Sequence, residues 1–140
     1  AHWLHDYGLQ TSRGFRALKV WMSLQEHGVQ KFGRLIDQNL EQAQYLTTLV
    51  KNHALLELTV ETNISIVCYR YNPGNKSNIE LKAVNTEIML RMQETGVAAV
   101  SDTTVHGKHC LRVAINNHRT ITSDLDLLVN ETVRIGSLLI

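Results

Sequence analysis

The sequence predicts an α+β fold, an antiparallel or mixed sheet of about four strands with helices packed on one face. Three observations predict it. Apolar residues recur at helical spacing in the first third of the chain, then give way to short β-branched and aromatic runs. The order reads helix, helix, strand, strand, helix, strand, strand, helix. Strands are either joined by a tight turn or separated by one helix, which suits antiparallel or mixed pairing with the helices on one side.

Residues 1–10 show no clear period and read as an extended lead-in. Ser12 has the hydroxyl of a helix cap. Phe15, Leu18 and Met22, with Trp21 beside them, then form a stripe expected to be buried, and Gly28 is placed to end the helix with a positive φ. A second helix carries Phe32, Leu35, Ile36, Leu40, Ala43, Leu46 and Val50, with Lys51 near its C-terminal dipole. Leu56–Val60 and Ile64–Tyr71 suit strands, and both faces of the second are apolar enough for a central position. Asn72-Pro73-Gly74-Asn75 is a turn. A third helix over about Lys76–Thr95 presents Ile79, Ala83, Thr86 and Leu90 and ends at Gly96. Val97–Val105 and Lys108–Asn116 read as a hairpin around His106-Gly107. On its second strand Leu111, Val113 and Ile115 point one way, and Cys110, Arg112 and Ala114 the other. Thr120 or Thr122 can cap a last helix with Asp124 in its first turn and an inner stripe of Leu125, Leu128, Val129 and Thr132.

Composition narrows the function. The net charge of +1 makes no electrostatic case for nucleic acid or an anionic membrane. No apolar run approaches the roughly 20 residues of a spanning helix. The N-terminus lacks the regions of a signal peptide, so a cytoplasmic protein is expected; the missing initiator Met fits a fragment or a processed chain. Cys68 and Cys110 sit in apolar runs and are expected as buried free thiols.

Motifs for metal, phosphate and nucleophilic chemistry are weak. There is no Cys-x-x-Cys and no Gly-x-Gly-x-x-Gly, and His106, His109 and His118 read as exposed turn residues rather than a metal site. Two basic features stand out. Arg13 and Arg16, three apart in a first turn, oppose the helix dipole. They belong either to a solvated face or to an ion pair with a partner or an anionic ligand. Arg112, mid-strand between Leu111 and Val113, requires acceptors if buried. Either Asp102 or Asp124 pairs with it, or it binds a substrate carboxylate.

The segment Thr11-Ser-Arg-Gly-Phe-Arg-Ala-Leu-Lys-Val-Trp21 resembles the Ser-Arg-Arg-Phe-Arg-(Ala/Ser)-(Leu/Met)-Lys-x-Trp stretch of the group II pyridoxal-phosphate decarboxylases, the relatives of the aromatic-amino-acid and histidine enzymes. Trp3, the Trp21-to-Gly28 continuation, Ile64-Ser-Ile-Val-Cys-Tyr-Arg70, Leu111-Arg-Val-Ala-Ile-Asn116, and Thr120 through Asp124 resemble further motifs of that family, in family order. Gly14 stands where the family has a second arginine.

The resemblance implies a small domain of the aspartate-aminotransferase fold class, at the C-terminus of an enzyme that decarboxylates an L-amino acid to an amine. It implies residues 1–27 as lead-in segment and connecting helix, and 28–140 as the small domain. Pyridoxal 5'-phosphate would be bound mainly outside this chain, because no lysine here stands in a Ser/Asp-x-His-Lys context. This stretch alone is expected to be inactive, with no catalytic residue of its own. Thr11 and Ser12 fall where the family lines the substrate side-chain pocket, and Arg13, Arg16 and Arg112 are structural or anion-pairing. The implied partners are the N-terminal and large domains of the same enzyme, a second subunit in a homodimer, and a small amino-acid substrate. Exposed apolar surface is expected where those domains pack. The competing readings are a free-standing α+β ligand- or partner-binding module, and the small domain of an aminotransferase-class enzyme with different chemistry.

Overall fold

The computed structural model describes residues 3–9, 14–61 and 64–140. Its packing divides the chain into two units, 1–35 and 36–140.

In the first unit, a 3-10 turn at Leu4–Tyr7 replaces the expected extended lead-in. The Asp6 carboxylate accepts from the Trp3 amide, and the Asp6 amide donates to the Trp3 carbonyl, so local hydrogen bonds close the turn. Helix α1 runs over Arg16–His27 from an N-cap at Phe15 that makes no side-chain cap. Ser12, the expected cap, lies outside the described residues. Gly28 follows at φ 73, where a Cβ would be strained, and α2 (Val29–Lys51) starts immediately after it.

The stripe expected to be buried on α1 is not. None of its residues is buried, and Phe15 and Trp21 remain 70% and 59% exposed. Helical period alone creates such a stripe; burial needs an opposing surface, and the described residues of the first unit supply none.

The second unit holds a four-stranded antiparallel sheet. Its strands are β1 (Leu56–Leu58), β2 (Ile66–Tyr71), β3 (Ser101–Val105) and β4 (Lys108–Ala114), in the order β1-β2-β4-β3. The doubly apolar β2 is central, as its sequence predicts. His106 and Gly107 both take positive φ, so the β3–β4 hairpin closes on a primed turn that matches strand twist. Pairing of Tyr69 with Leu111 and of Val67 with Val113 puts the large apolar side chains on one face.

That face carries the core. Val67, Tyr69, Tyr71, Leu111 and Val113 pack with Ala43, Leu46 and Val50 of α2, with Ile88 and Met92 of α3 (Asn78–Glu94), and with Leu125, Leu128, Val129 and Ile135 of α4 (Thr122–Leu138). The buried Tyr69 hydroxyl shares a 2.9 Å hydrogen bond with Thr132, and burial pushes it up to about 12.

Two local expectations fail. On α3 the inward positions are Leu81, Asn85, Ile88 and Met92, whereas Ile79 is 84% exposed. The inward stripe contains a polar residue, so counting apolar positions selected the wrong face. Neither Thr120 nor Thr122 caps α4. Ile121 is the N-cap residue, and the Asp124 carboxylate accepts from its amide at 3.0 Å. By contrast, α3 begins with a full capping box, Ser77 bonding the Glu80 amide and Glu80 bonding the Ser77 amide.

Candidate functional site

The expected substrate-side residues Thr11 and Ser12, and Arg13 after them, lie outside the described residues. Arg16 is the first residue of α1 and is exposed. A cation there faces the positive end of the helix dipole, a cost that solvent screens. Within the same unit, Lys19, Val20, Ser23, Leu24 and Phe32 line a mostly apolar hollow of about 350 Å³.

The richest chemistry of the second unit lies on the sheet face turned away from the core. Alternation of side chains puts Glu57, Cys68, Arg70, Lys108, Cys110 and Arg112 together there. Glu57 of β1 organises one half of that face. Its Oε2 accepts from Arg70 Nε at 2.8 Å and from Asn72 Nδ2 at 2.6 Å, and its Oε1 lies 2.6 Å from Lys108 Nζ. Arg70 also donates to Asn78 Oδ1 at 2.8 Å. Burial alone would raise the Glu57 carboxyl, but the Lys108, Arg70 and Asn72 donors outweigh it and bring it down to about 2.

Arg112 takes neither expected partner. Asp102 sits across from Leu111 on the opposite face, 3.5 Å from His109 Nε2, while Asp124 caps α4. Arg112 is half-buried, and among the described residues no carboxylate lies in ion-pair reach of it. The pairing failed because Asp102 and Arg112 belong to opposite sides of the pleat. Arg112 instead stands across from Cys68. Burial raises the Cys68 thiol, neighbouring Cys110 adds to that, and Arg112 opposes it. Both cysteines are buried free thiols, as expected.

His109 is buried, contrary to its reading as an exposed turn residue. Its Nε2 lies 3.1 Å from Thr86 Oγ1 on α3. It belongs to β4, whose alternation turns it toward the helices. His106 and His118 are exposed, and no metal-ligating group of three forms among the described residues. The Glu57–Arg70–Lys108 network was missed in the sequence. Its signal was present: charged residues in alternation with apolar ones on β1, β2 and β4, each on the face opposite the core.

The comparisons with known proteins agree with this architecture. The profile described as the pyridoxal-dependent decarboxylase conserved domain matches residues 2–72, half of the chain. Tryptophan decarboxylase 1 of Oryza sativa subsp. japonica is 31% identical over 118 residues, covering 81% of this chain and 23% of the relative. Among solved structures, the glutamate decarboxylase domain of a diaminobutyrate-pyruvate transaminase and L-2,4-diaminobutyrate decarboxylase from Vibrio parahaemolyticus superposes with a TM-score of 0.82 at 28% identity, over 96% of this chain and 28% of that one. Oryza sativa TDC with PLP and tryptamine gives 0.80 at 28% identity, over 94% of this chain and 29% of that one. The chain therefore spans about a quarter of the length of the relatives it matches. With the helices of the second unit on one face of an antiparallel sheet and a profile match over half its length, this chain belongs to the pyridoxal-dependent decarboxylase family.

Proposed function

We propose that this chain forms the C-terminal part of a pyridoxal-phosphate-dependent carboxy-lyase, which releases carbon dioxide from an L-amino acid and leaves the amine. Residues 28–140 are its small domain, and 1–27 the lead-in segment and connecting helix. The likeness to decarboxylases along almost the whole chain carries this reading. The exposed apolar side chains of α1 support it, because they need a covering surface, which the N-terminal and large domains or a second subunit of a homodimer would supply.

The cofactor site is read as lying mainly outside this chain. All six lysines, Lys19, Lys31, Lys51, Lys76, Lys82 and Lys108, are exposed or half-exposed, and none stands in a Ser/Asp-x-His-Lys context. Pyridoxal phosphate is accordingly assigned mainly to residues outside this chain. Once bound there, the cofactor supplies an electron sink for loss of the carboxylate. This chain contributes Thr11 and Ser12, whose hydroxyls suit a polar substrate side chain. No described helix is long and apolar enough to cross a membrane, and we place the enzyme in the cytoplasm.

The test is the intact mass of the protein as its source makes it, followed by carbon dioxide release from L-amino acids with pyridoxal phosphate. A product several times longer than this chain, carrying a Ser/Asp-x-His-Lys lysine and active, supports the proposal. A mature product of these 140 residues with no companion chain and no activity sinks it. The isolated chain is expected to lose pyridoxal phosphate on gel filtration; retention at one per chain would overturn the assignment of the cofactor site.

A further inference from the structure

The outward face of the sheet holds two thiols that the decarboxylase reading does not use. Cys68 of β2 lies directly across from Arg112 of β4, and Cys110 stands two residues before Arg112 on the same strand. The two cysteines are therefore diagonal neighbours on one face of adjacent strands. They are 6% and 0% exposed, yet neither belongs to the core on the opposite face. Cys110 Sγ also donates a weak hydrogen bond to the Thr103 carbonyl at 3.6 Å, which fixes its side chain within the sheet.

The spacing selects among the things two thiols can do. Diagonal neighbours hold their Cβ atoms somewhat under about 7–8 Å apart. A disulfide needs Cβ atoms about 3.5–4.5 Å apart, closer than the usual diagonal spacing, and both thiols are free. An ion inserted between the sulfurs replaces one short bond by two, each about 2.3 Å if it matches a zinc–thiolate bond. That span suits side chains placed as diagonal neighbours. A zinc site needs four ligands, and this face offers two thiols. Its carboxylate, Glu57, is already held by Arg70, Asn72 and Lys108. Two soft ligands and no more suit a soft monovalent ion of the Cu(I) class.

We propose that Cys68 and Cys110 form a two-thiolate site for Cu(I), with Arg112 as the neighbouring countercharge. Binding breaks two S–H bonds and forms two Cu–S bonds. Two protons go to solvent and no electron moves, so the ion must arrive as Cu(I). The bound unit carries one negative charge, which the Arg112 guanidinium opposite Cys68 offsets. The site rests on the sheet register alone and does not depend on the decarboxylase reading.

The experiment is an anaerobic titration of the 140-residue chain with Cu(I) against a chromophoric Cu(I) chelator, with reactive thiols counted under native conditions. One ion per chain is expected, with both thiols protected. Cys68→Ala and Cys110→Ala should each lose stoichiometric binding, and Arg112→Met should weaken it by roughly 10-fold, as outer-shell changes do. X-ray absorption of the loaded wild-type chain, which needs no variant to fold, should show two sulfur neighbours and no nitrogen. Nitrogen in the coordination shell, or full binding by either cysteine variant, would overturn the proposal, as would failure of the wild-type chain to compete with the chelator.

Discussion

The side chain of Asn85 on α3 binds both backbone groups of Tyr71 at the end of β2. Its Oδ1 accepts from the Tyr71 amide at 2.8 Å, and its Nδ2 donates to the Tyr71 carbonyl at 3.0 Å and to the Leu81 carbonyl at 2.8 Å. Tyr71 lies beyond the last β2–β4 partner pair, Tyr69 with Leu111, so the carboxamide stands in for a strand neighbour. Asn85 is 0% exposed and fully satisfied, which is the condition for a polar residue to sit in a core. It ties the helix layer to the sheet at one defined register.

Asn85→Leu keeps the volume but removes all three hydrogen bonds. The Tyr71 amide and carbonyl are then left unpaired in the core, at about 1–3 kcal/mol for each buried group. We expect a loss of roughly 2–6 kcal/mol in urea unfolding, from those two groups together. A change below about 0.5 kcal/mol, the range of ordinary surface substitutions, would refute this role.

Gly136 on α4 is a close approach rather than a flexible joint. A Cβ there would lie 2.6 Å from Cγ and Cδ2 of the Tyr71 ring. Gly136→Ala should therefore destabilise by about 1–3 kcal/mol, the cost of overpacking, although alanine is the better helix former. In a Tyr71→Leu background the penalty should shrink, and a double-mutant cycle of thermal or urea melts measures that coupling.

The Glu57 network sets an acid limb. Its folded carboxyl is brought from an ordinary 4.5 down to about 2 by Lys108, Arg70 and Asn72 against the opposing effect of burial. A depressed folded value means that the unfolded state binds the proton first as pH falls. The stabilisation is therefore complete above about 4.5 and is lost progressively down to about 2. The stability gap between wild type and Glu57→Gln should narrow across that window, as read from urea midpoints at stepped pH. A gap that stays constant from neutral pH to the bottom of the window would exclude the linkage.

Arg112 should not behave as half of a buried ion pair. Breaking such a pair typically costs about 3–5 kcal/mol. With Asp102 and Asp124 engaged elsewhere, Arg112→Ala is expected to cost less than about 1 kcal/mol, near the surface range. A loss at the ion-pair level would mean that Arg112 has a carboxylate partner after all.

Much of this fold was legible in the sequence because it is written in short-range patterns. The doubly apolar run ending at Tyr71 placed β2 in the middle of the sheet, His106-Gly107 placed the hairpin, and Leu125, Leu128, Val129 and Thr132 marked the inner face of α4. The family motifs were legible for the same reason, since each is a short contiguous run of the sequence. Ser77-x-x-Glu80 was equally local and was overlooked.

Tertiary structure alone decided what depends on an opposing surface. It turned Leu81, Asn85, Ile88 and Met92 of α3 inward, because a buried Asn is tolerated only where Tyr71 offers it partners. It left the α1 stripe exposed and assigned Asp102 to His109 rather than Arg112. It also brought Cys68 beside Cys110, which are remote in the chain. Periodicity determines which side chains share a face. Only the packing of one element on another determines what that face meets, because burial and charge pairing are properties of two surfaces and not of one sequence segment.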